Sequence, residues 1–170
     1  GSYLECQDFW RISGIERDVF LYSQPKAALK DFRVTSTLDD TYKDGIFKLG
    51  VDLRNNGSTA GNMTLVYELL DANGKVVATG EKATNVAAGE TRTVSFDQTL
   101  PDVKTWTSEA PNLYKLVMTV KENGKVNEII PFNVGFRRIE IKPTEQLARN
   151  GKPYVCLFIN GQPLKLKGVN

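Results

Sequence analysis

The chain has 170 residues, of which 41% are hydrophobic and 25% are charged, and its formal net charge is +2. This is enough apolar material for a buried core, which argues against wholesale disorder, and the length suits one domain with extensions. Charges of both signs are mixed along the chain, and no apolar run approaches the ~20 residues of a transmembrane helix. We therefore expect neither nucleic acid nor a membrane as a partner.

The chain contains no histidine and only two cysteines, Cys6 and Cys156. The lack of histidine removes the commonest general base near neutral pH, the commonest zinc ligand and any Ser-His-Asp arrangement. Two cysteines are too few for a disulfide framework or a Cys-rich metal site. We expect each to pack as a small hydrophobic side chain, and the sequence leaves open whether they form a single bridge.

Two short segments near the N-terminus are rich in strand-forming residues. Residues 9–12 and 19–22 combine aromatic and aliphatic side chains, which predicts strands. The Gln24-Pro25 pair predicts a linker, and the alternating residues 32–36 predict the first strand of a new domain.

Three later segments alternate apolar and polar residues with a period of two, which places the apolar side chains on one face of a strand. The segments are residues 47–53, 63–70 and 113–121. Their expected inward-facing residues are Phe47, Leu49, Val51 and Leu53, then Leu65, Tyr67 and Leu69, then Tyr114, Leu116, Met118 and Val120. Asn-Gly pairs at 73–74 and 123–124 predict hairpins, and residues 87–90 predict another turn before a strand that carries Val94 and Phe96.

The C-terminal third predicts one long strand over residues 126–141, bent near Pro131 and Gly135. From Lys142 we expect the chain to leave this domain through a linker. Residues 158–166 then predict a hairpin around an Asn-Gly turn, and the apolar ending suggests a piece of a longer protein.

About seven short strands at this spacing, over residues 27–141, are typical of an immunoglobulin-like β-sandwich. The Cys-Trp-Cys pattern of antibody domains is missing, so the disulfide-free, fibronectin-like sandwiches are the better comparison. The predicted fold class is all-β.

Acidic residues are the first candidates for chemistry, because a glycosidase needs two carboxylates at a set separation. The pattern instead places these residues at turns or on solvated faces: Asp39, Asp40, Glu81, Glu90 and Asp97. Asp71, Asn73 and the Asp39-Asp40 pair could also ligate calcium, with turn chemistry as the favoured interpretation. Trp10 and Trp106 could stack on a sugar ring, but a tryptophan on a sandwich more often packs in a core or a domain interface.

Four parts of the chain match, in order, successive regions of one family. They are residues 3–5, 7–15 and 17–19, then 106–114 (Trp-Thr-Ser-Glu-Ala-Pro-Asn-Leu-Tyr), then 134–137 (Val-Gly-Phe-Arg), then 160–163 (Asn-Gly-Gln-Pro) with 167–170 (Lys-Gly-Val-Asn). They resemble the end of the sugar-binding jelly roll, two parts of the sandwich domain, and the entry hairpin of the catalytic barrel in bacterial β-galactosidases of glycoside hydrolase family 2. Residues 32–100 match only by strand pattern.

The resemblance implies a longer protein that hydrolyses terminal β-D-galactosides with retention, using two glutamates on a TIM barrel. In the family those glutamates follow an Arg-His-Glu-His-like segment placed after the position of Asn170, and a sodium-associated aspartate would precede Gly1. We therefore assign no catalytic, cofactor-binding or metal-binding residue to this chain. Magnesium and sodium are implied only for the longer protein.

The resemblance divides the chain into residues 1–26, the end of the jelly roll; 27–141, the sandwich; and 142–170, a linker and the first hairpin of the barrel. It implies the jelly roll and the TIM barrel as partners and a homo-oligomer. The compartment stays unknown, with the bacterial cytoplasm and the periplasm as the two options. In tetrameric relatives a long sandwich loop reaches a neighbouring active site. The corresponding residues 79–93 are fewer, which leaves open whether they reach another subunit.

The leading hypothesis is that this chain is a non-catalytic spacer and interface between the neighbouring domains of a β-galactosidase. The alternatives are an autonomous carbohydrate-binding module and a cell-surface adhesion or scaffold domain, which are other common uses of this fold.

Overall fold

A computed structural model describes residues 14–15, 17–166 and 168, and this part of the chain is all-β, as predicted. Its strands are β1 (Ala27–Leu38), β2 (Gly45–Asn55), β3 (Gly61–Leu70), β4 (Val76–Val86), β5 (Thr91–Leu100), β6 (Tyr114–Glu122), β7 (Lys125–Val134), β8 (Ile139–Leu147), β9 (Pro153–Ile159) and β10 (Gln162–Pro163). None of the described segments forms a helix of the length and hydropathy that a membrane span requires.

The first seven strands form two antiparallel sheets that pack face to face. One sheet has the order β1-β2-β5 and the other the order β4-β3-β6-β7. The inward faces predicted for β2, β3 and β6 are confirmed, because all eleven of the apolar residues assigned to them are buried. Burying such a side chain contributes roughly 1.5–3 kcal/mol, so these three central strands supply most of the driving force for the sandwich.

The predicted Asn-Gly hairpins are also confirmed. Asn123 and Gly124 have φ values of 49° and 84°, which suit the tight β6–β7 turn, where both central residues need positive φ. In the β3–β4 turn the Asp71 Oδ1 atom accepts hydrogen bonds from the amides of Asn73 and Lys75, at 2.8 and 3.0 Å. The turn at residues 87–90 connects β4 of one sheet to β5 of the other.

Asn55 is a buried polar residue where β2 ends, with 2% of its surface exposed. Its Nδ2 donates to the carbonyls of Thr59 and Val86, at 2.8 and 2.9 Å, and its Oδ1 accepts from the Gly57 amide at 2.8 Å. One side chain thus satisfies three backbone groups and fixes the crossing between the two sheets.

The prediction of one bent strand over residues 126–141 is wrong. β7 ends at Val134, and the chain then crosses residues 135–138 before β8 begins in a different sheet. The Phe136 side chain is fully buried in the sandwich, so the chain turns inward there instead of continuing along the edge. Pro131 is accommodated within β7, an edge strand that pairs only with β6.

A third sheet, with the order β10-β9-β8, follows the sandwich. The linker expected from Lys142 is wrong, because Lys142 lies in β8 and pairs with Cys156 in β9. The hairpin expected around residues 158–166 is present as β9 and β10, with Asn160 and Gly161 at φ 49° and 77°.

The strand expected at residues 19–22 is also wrong. These residues pair with no strand among the described residues, and their side chains are exposed. Apolar character alone predicted a strand there, but a strand needs a hydrogen-bonding partner. The strand expected at 9–12, Trp10 and Cys6 lie outside the described residues, so those predictions stay open.

Candidate functional site

The third sheet meets the sandwich where residues 39–44, 104–112 and 135–138 come together. Tyr42 lies at the centre of this contact, with φ 58°, a left-handed conformation that is uncommon for an aromatic residue. Its hydroxyl donates to Glu140 Oε2 at 2.8 Å, and Lys142 Nζ donates to the same hydroxyl at 2.5 Å. A sandwich loop is therefore bonded to two residues of β8, and we call this contact the Tyr42 junction.

Charged groups surround the Tyr42 ring. Arg138 pairs with Asp40 at 2.7 Å and with Glu140 at 3.2 Å, and Lys142 pairs with Glu140 at 2.8 Å. The hydrogen bond from Lys142, reinforced by Tyr42 and by Arg138, lowers the pKa of Glu140. The hydrogen bond to Glu140 raises the pKa of Lys142. Both groups are held in their charged forms, which favours the closed network at neutral pH.

The β9–β10 turn completes the Tyr42 junction. Asn160 accepts a hydrogen bond from the Arg138 amide at Oδ1, at 2.9 Å, and donates from Nδ2 to the Trp106 carbonyl at 3.1 Å. The next residue, Gly161, lies against the Tyr42 ring so closely that a Cβ atom would come 2.7 Å from Tyr42 Cε2. Only glycine fits this contact without displacing the ring.

Trp106, one of the two candidates for sugar stacking, packs beside this junction. Its ring lies over Gly135, where a Cβ would be 3.1 Å away, and the Arg137 guanidinium lies 4.7 Å from the ring centroid. Its amide donates to the Phe136 carbonyl at 2.8 Å. These contacts favour the interpretation that Trp106 packs at an interface.

The upstream segment is tied to the opposite end of the sandwich. Gln24 Nε2 donates to Glu128 Oε1 at 3.1 Å, and the Leu29 amide donates to Glu128 Oε2 at 2.8 Å. Asn127 Nδ2 donates to the Ala27 carbonyl at 3.2 Å. Entering and leaving segments are thus both hydrogen-bonded to the sandwich.

The carboxylate of Asp39 serves the β1–β2 turn. It accepts from the Thr41 hydroxyl at 2.6 Å and from the amides of Lys43 and Asp44, each at 3.0 Å. The Thr41 hydrogen bond, helped by these amides, lowers the pKa of Asp39 to about 2. Together with the hydrogen bonds of Asp71, this geometry is turn chemistry, and the described residues contain no cluster of acidic and Cys side chains suited to a metal ion.

The remaining acidic candidates are spread over the surface. Asp97 pairs with Lys48 at 3.2 Å, Glu90 lies 3.7 Å from Arg92, and Glu81 is exposed on β4. Most of residues 79–93, the segment expected from the resemblance to take the place of a long loop, lie in β4 and β5 on either side of a short turn.

A groove of about 560 Å³ opens between the β3–β4 turn and the segment before β6. Its lining combines apolar side chains, such as Val77 and Leu113, with polar ones, such as Asp102 and Asn112. This volume falls within the range of roughly 300–1,000 Å³ that small-molecule sites occupy. Sequence reasoning missed both the groove and the Tyr42 junction, because each joins residues far apart in the chain.

The fold and the junction define an immunoglobulin-like β-sandwich module with an attached third sheet. The sequence model of glycosyl hydrolases family 2 matches residues 27–137. The chain belongs to this family.

Curated relatives are bacterial β-galactosidases. The chain is 40% identical to the β-galactosidase of Priestia megaterium over 171 residues, and the alignment covers 99% of this chain and 16% of the relative. It is 39% identical to that of Halalkalibacterium halodurans, covering 100% of this chain and 15% of the relative. The chain therefore spans about one sixth of the length of these relatives.

Solved structures of two enzymes share the fold. An exo-chitosanase of Amycolatopsis orientalis superposes with a TM-score of 0.71 at 22% identity, covering 89% of this chain and 17% of that one. A β-glucuronidase of Bacteroides uniformis superposes with a TM-score of 0.73 at 18% identity, covering 86% of this chain and 17% of that one.

Proposed function

We propose that this chain is the non-catalytic central sandwich of a β-galactosidase that hydrolyses terminal β-D-galactosides. Its role is to hold the neighbouring parts of that protein in a fixed relative orientation. The observation that carries the proposal is the Tyr42 junction, which fastens the third sheet to the sandwich through side chains from three separate stretches of sequence.

The distribution of carboxylates supports a non-catalytic role. A retaining glycosidase places two carboxyl groups about 5–5.5 Å apart across the scissile bond. Most of the acidic residues described above instead serve turns, surface ion pairs or the Tyr42 junction. The relatives most similar in sequence are named β-galactosidases, which supports the activity proposed for the longer protein.

The direct test is a hydrolysis assay. The purified 170-residue chain, incubated with a chromogenic β-D-galactoside, should give no turnover above a buffer blank. Turnover that survives further purification would overturn the non-catalytic assignment.

The orienting role is tested in the full-length protein. Tyr42→Phe removes the hydroxyl that bonds Glu140 and Lys142, so we expect a lower kcat and a lower temperature of inactivation. Tyr154→Phe is the matched control, since Tyr154 lies exposed on β9 with no side-chain hydrogen bond among those described. Equal effects of the two substitutions would argue against the orienting role.

Magnesium, sodium and homo-oligomer formation belong to the proposal for the longer protein. The described residues of this chain provide no ligand cluster for either cation, so we derive no step from them. The proposed intramolecular partners are a sugar-binding jelly roll before the sandwich and a TIM barrel after it.

Carbohydrate binding is a second candidate because of the groove. Asp102 and Asn112 provide hydrogen-bonding groups beside the apolar Val77 and Leu113, a combination that suits a sugar ring. Calorimetry of the chain with millimolar galactosides should give saturable heat if the groove binds sugar. A flat titration would reject this candidate.

A further inference from the structure

The chain contains five Asn-Gly pairs, and this dipeptide is prone to a reaction of its own. Asparagine is thermolabile, because the amide nitrogen of the next residue can attack its side-chain Cγ atom and expel ammonia. A glycine in the next position offers no Cβ to hinder the attack. The pairs are Asn56-Gly57, Asn73-Gly74, Asn123-Gly124, Asn150-Gly151 and Asn160-Gly161, and all lie among the described residues. Their surroundings therefore decide which of them reacts.

Two of these pairs share one backbone conformation. Asn123 and Gly124 have φ values of 49° and 84° in the turn between β6 and β7. Asn160 and Gly161 have φ values of 49° and 77° in the turn between β9 and β10. The rearrangement that brings the glycine nitrogen to Cγ is therefore similar in both turns. A difference in their reactivity must come from the groups that hold the side chains.

The Asn160 side chain is held at both of its polar atoms, whereas the Asn123 side chain is exposed. Asn160 Oδ1 accepts a hydrogen bond from the Arg138 amide at 2.9 Å, and Nδ2 donates to the Trp106 carbonyl at 3.1 Å. The Asn123 side chain has no hydrogen-bonding partner within residues 17–166. A Cβ on Gly124 would meet nothing within 4 Å, so solvent also reaches the glycine.

In the remaining three pairs the attacking nitrogen is itself engaged. The amides of Gly57, Gly74 and Gly151 donate to Asn55 Oδ1, the Asp71 carbonyl and the Ala148 carbonyl, at 2.8, 3.0 and 2.9 Å. Each amide must break its hydrogen bond before it loses its proton and attacks. Among the five pairs, the one at 123–124 is thus the pair in which neither the side chain nor the glycine amide has a partner in the described part of the chain.

We propose that Asn123 is a site of spontaneous deamidation and that the Tyr42 junction protects Asn160 from the same reaction. The Gly124 amide loses its proton to hydroxide, and its nitrogen forms a bond to Cγ of Asn123. The side-chain nitrogen takes up a proton and leaves as ammonia, which completes a succinimide ring. Water then opens the ring. Breaking the bond between nitrogen and Cγ gives aspartate, and breaking the bond between nitrogen and the main-chain carbonyl carbon gives isoaspartate.

Conversion at Asn123 changes the hairpin that ties the upstream segment to the sandwich. The new carboxylate lies next to Glu122 in sequence, and isoaspartate adds a methylene group to the main chain between β6 and β7. β7 carries Glu128, which accepts hydrogen bonds from Gln24 and from the Leu29 amide. Deamidation at this turn should therefore loosen the contact between the sandwich and the residues that precede β1.

Conversion at Asn160 would damage the Tyr42 junction itself. An aspartate at this position cannot donate to the Trp106 carbonyl, and an isoaspartate would shift Gly161 against the Tyr42 ring. Every hydrogen bond that must break slows the attack, so the two that hold Asn160 should make its conversion roughly tenfold slower, or more, than that of Asn123. The junction thus protects an asparagine on which it depends.

The test follows both asparagines in the same sample. The full 170-residue chain is kept folded at mildly alkaline pH and, in parallel, unfolded in urea. Peptides that cover each pair are quantified by mass spectrometry over time. Water labelled with a heavy oxygen isotope marks conversion during the incubation, because opening of the succinimide incorporates an oxygen atom from water. Tyr42→Phe loosens the junction without altering the sequence of either pair, and Tyr154→Phe is its control.

We expect Asn123 to convert at least about tenfold faster than Asn160 in the folded chain, and at a similar rate in urea. Tyr42→Phe should raise the rate at Asn160 and leave that at Asn123 unchanged, whereas Tyr154→Phe should change neither. Equal rates in the folded chain, or conversion of Asn123 only in urea, would overturn the proposal. A rate at Asn160 that Tyr42→Phe leaves unchanged would overturn the protection by the junction. A difference that persists in urea would overturn it as well, because the neighbouring residues would then explain it.

Discussion

Gly161 and Gly151 adopt the same backbone conformation in different surroundings, which isolates the role of a single contact. Their φ values are 77° and 76°, but a Cβ on Gly161 would meet Tyr42 at 2.7 Å, whereas one on Gly151 would meet nothing within 4 Å. Alanine at either position costs roughly 1–2 kcal/mol for the left-handed backbone. We expect Gly161→Ala to cost about 1–3 kcal/mol more, because the Tyr42 ring must move.

Hydrogen exchange of the β9 amides measures this difference as a change in the free energy of local opening. Gly151→Ala is the control for backbone strain, since both glycines belong to turns of the same sheet. Equal losses of protection in the two variants would show that the contact between Gly161 and Tyr42 contributes nothing to the junction.

Gly80 and Gly50 offer a similar comparison within the sandwich. A Cβ on Gly80, in β4, would lie 2.7 Å from Tyr67 Cε1 and 2.9 Å from Phe96 Cδ1, whereas one on Gly50, in β2, would lie 3.9 Å from Ser95 Oγ. We expect Gly80→Ala to destabilise the chain by about 1–3 kcal/mol through overpacking. Gly50→Ala should be neutral or stabilising by roughly 0.5–1 kcal/mol, because alanine loses less entropy in a strand. Urea unfolding measures the change in the free energy of unfolding for both variants. A stabilised Gly80→Ala variant would contradict the close packing of Gly80 against Tyr67 and Phe96.

Asp39 makes the acid stability of the sandwich depend on one turn. Its pKa falls from 3.8 to about 2 on folding, chiefly through the Thr41 hydrogen bond. Its contribution to stability is therefore complete above pH 3.8 and is lost as the pH falls toward 2. Asp39→Asn should lower the free energy of unfolding at pH 7 and weaken its dependence on pH between about 4 and 2. Denaturant titrations across this range would refute the idea if the variant followed the same pH profile as the original chain.

At the scale of elements, local signals predicted most of the sandwich. Alternation in β2, β3 and β6 predicted which side chains are buried, because one face of each central strand packs on the opposite sheet. Asn-Gly pairs predicted the turns, since their positive φ values are a local property of those residues.

The strand predictions failed where the structure depends on contacts between residues that are far apart in the sequence. Residues 126–141 keep an apolar rhythm through Ile139 and Ile141, and a period of two does not reveal that the strand changes sheets at Gly135. The Tyr42 hydroxyl and Glu140 are 98 residues apart in sequence, so nothing local connects them. The sequence signals near this junction are the Asn160-Gly161 pair, which predicts a turn, and Trp106, which predicts interface packing; neither predicts the contact with Tyr42.

At the scale of the whole molecule, the two parts of the described chain differ in how they are stabilised. The sandwich encloses a continuous core from Ala27 to Phe136, whereas none of the described residues from 139 to 168 is buried. The third sheet depends on strand pairing and on the Tyr42 junction. Its amides should therefore open with a smaller free energy than those of β2, β3 and β6, which open only with global unfolding.

Native-state hydrogen exchange of the 170-residue chain tests this order directly. Protection in β9 should be lost at lower urea than protection in β3, and Tyr42→Phe should widen the gap by weakening β9 while leaving β3 unchanged. Tyr154→Phe provides the control on β9 itself. Simultaneous loss in β3 and β9 would instead mean that the chain unfolds as one cooperative unit.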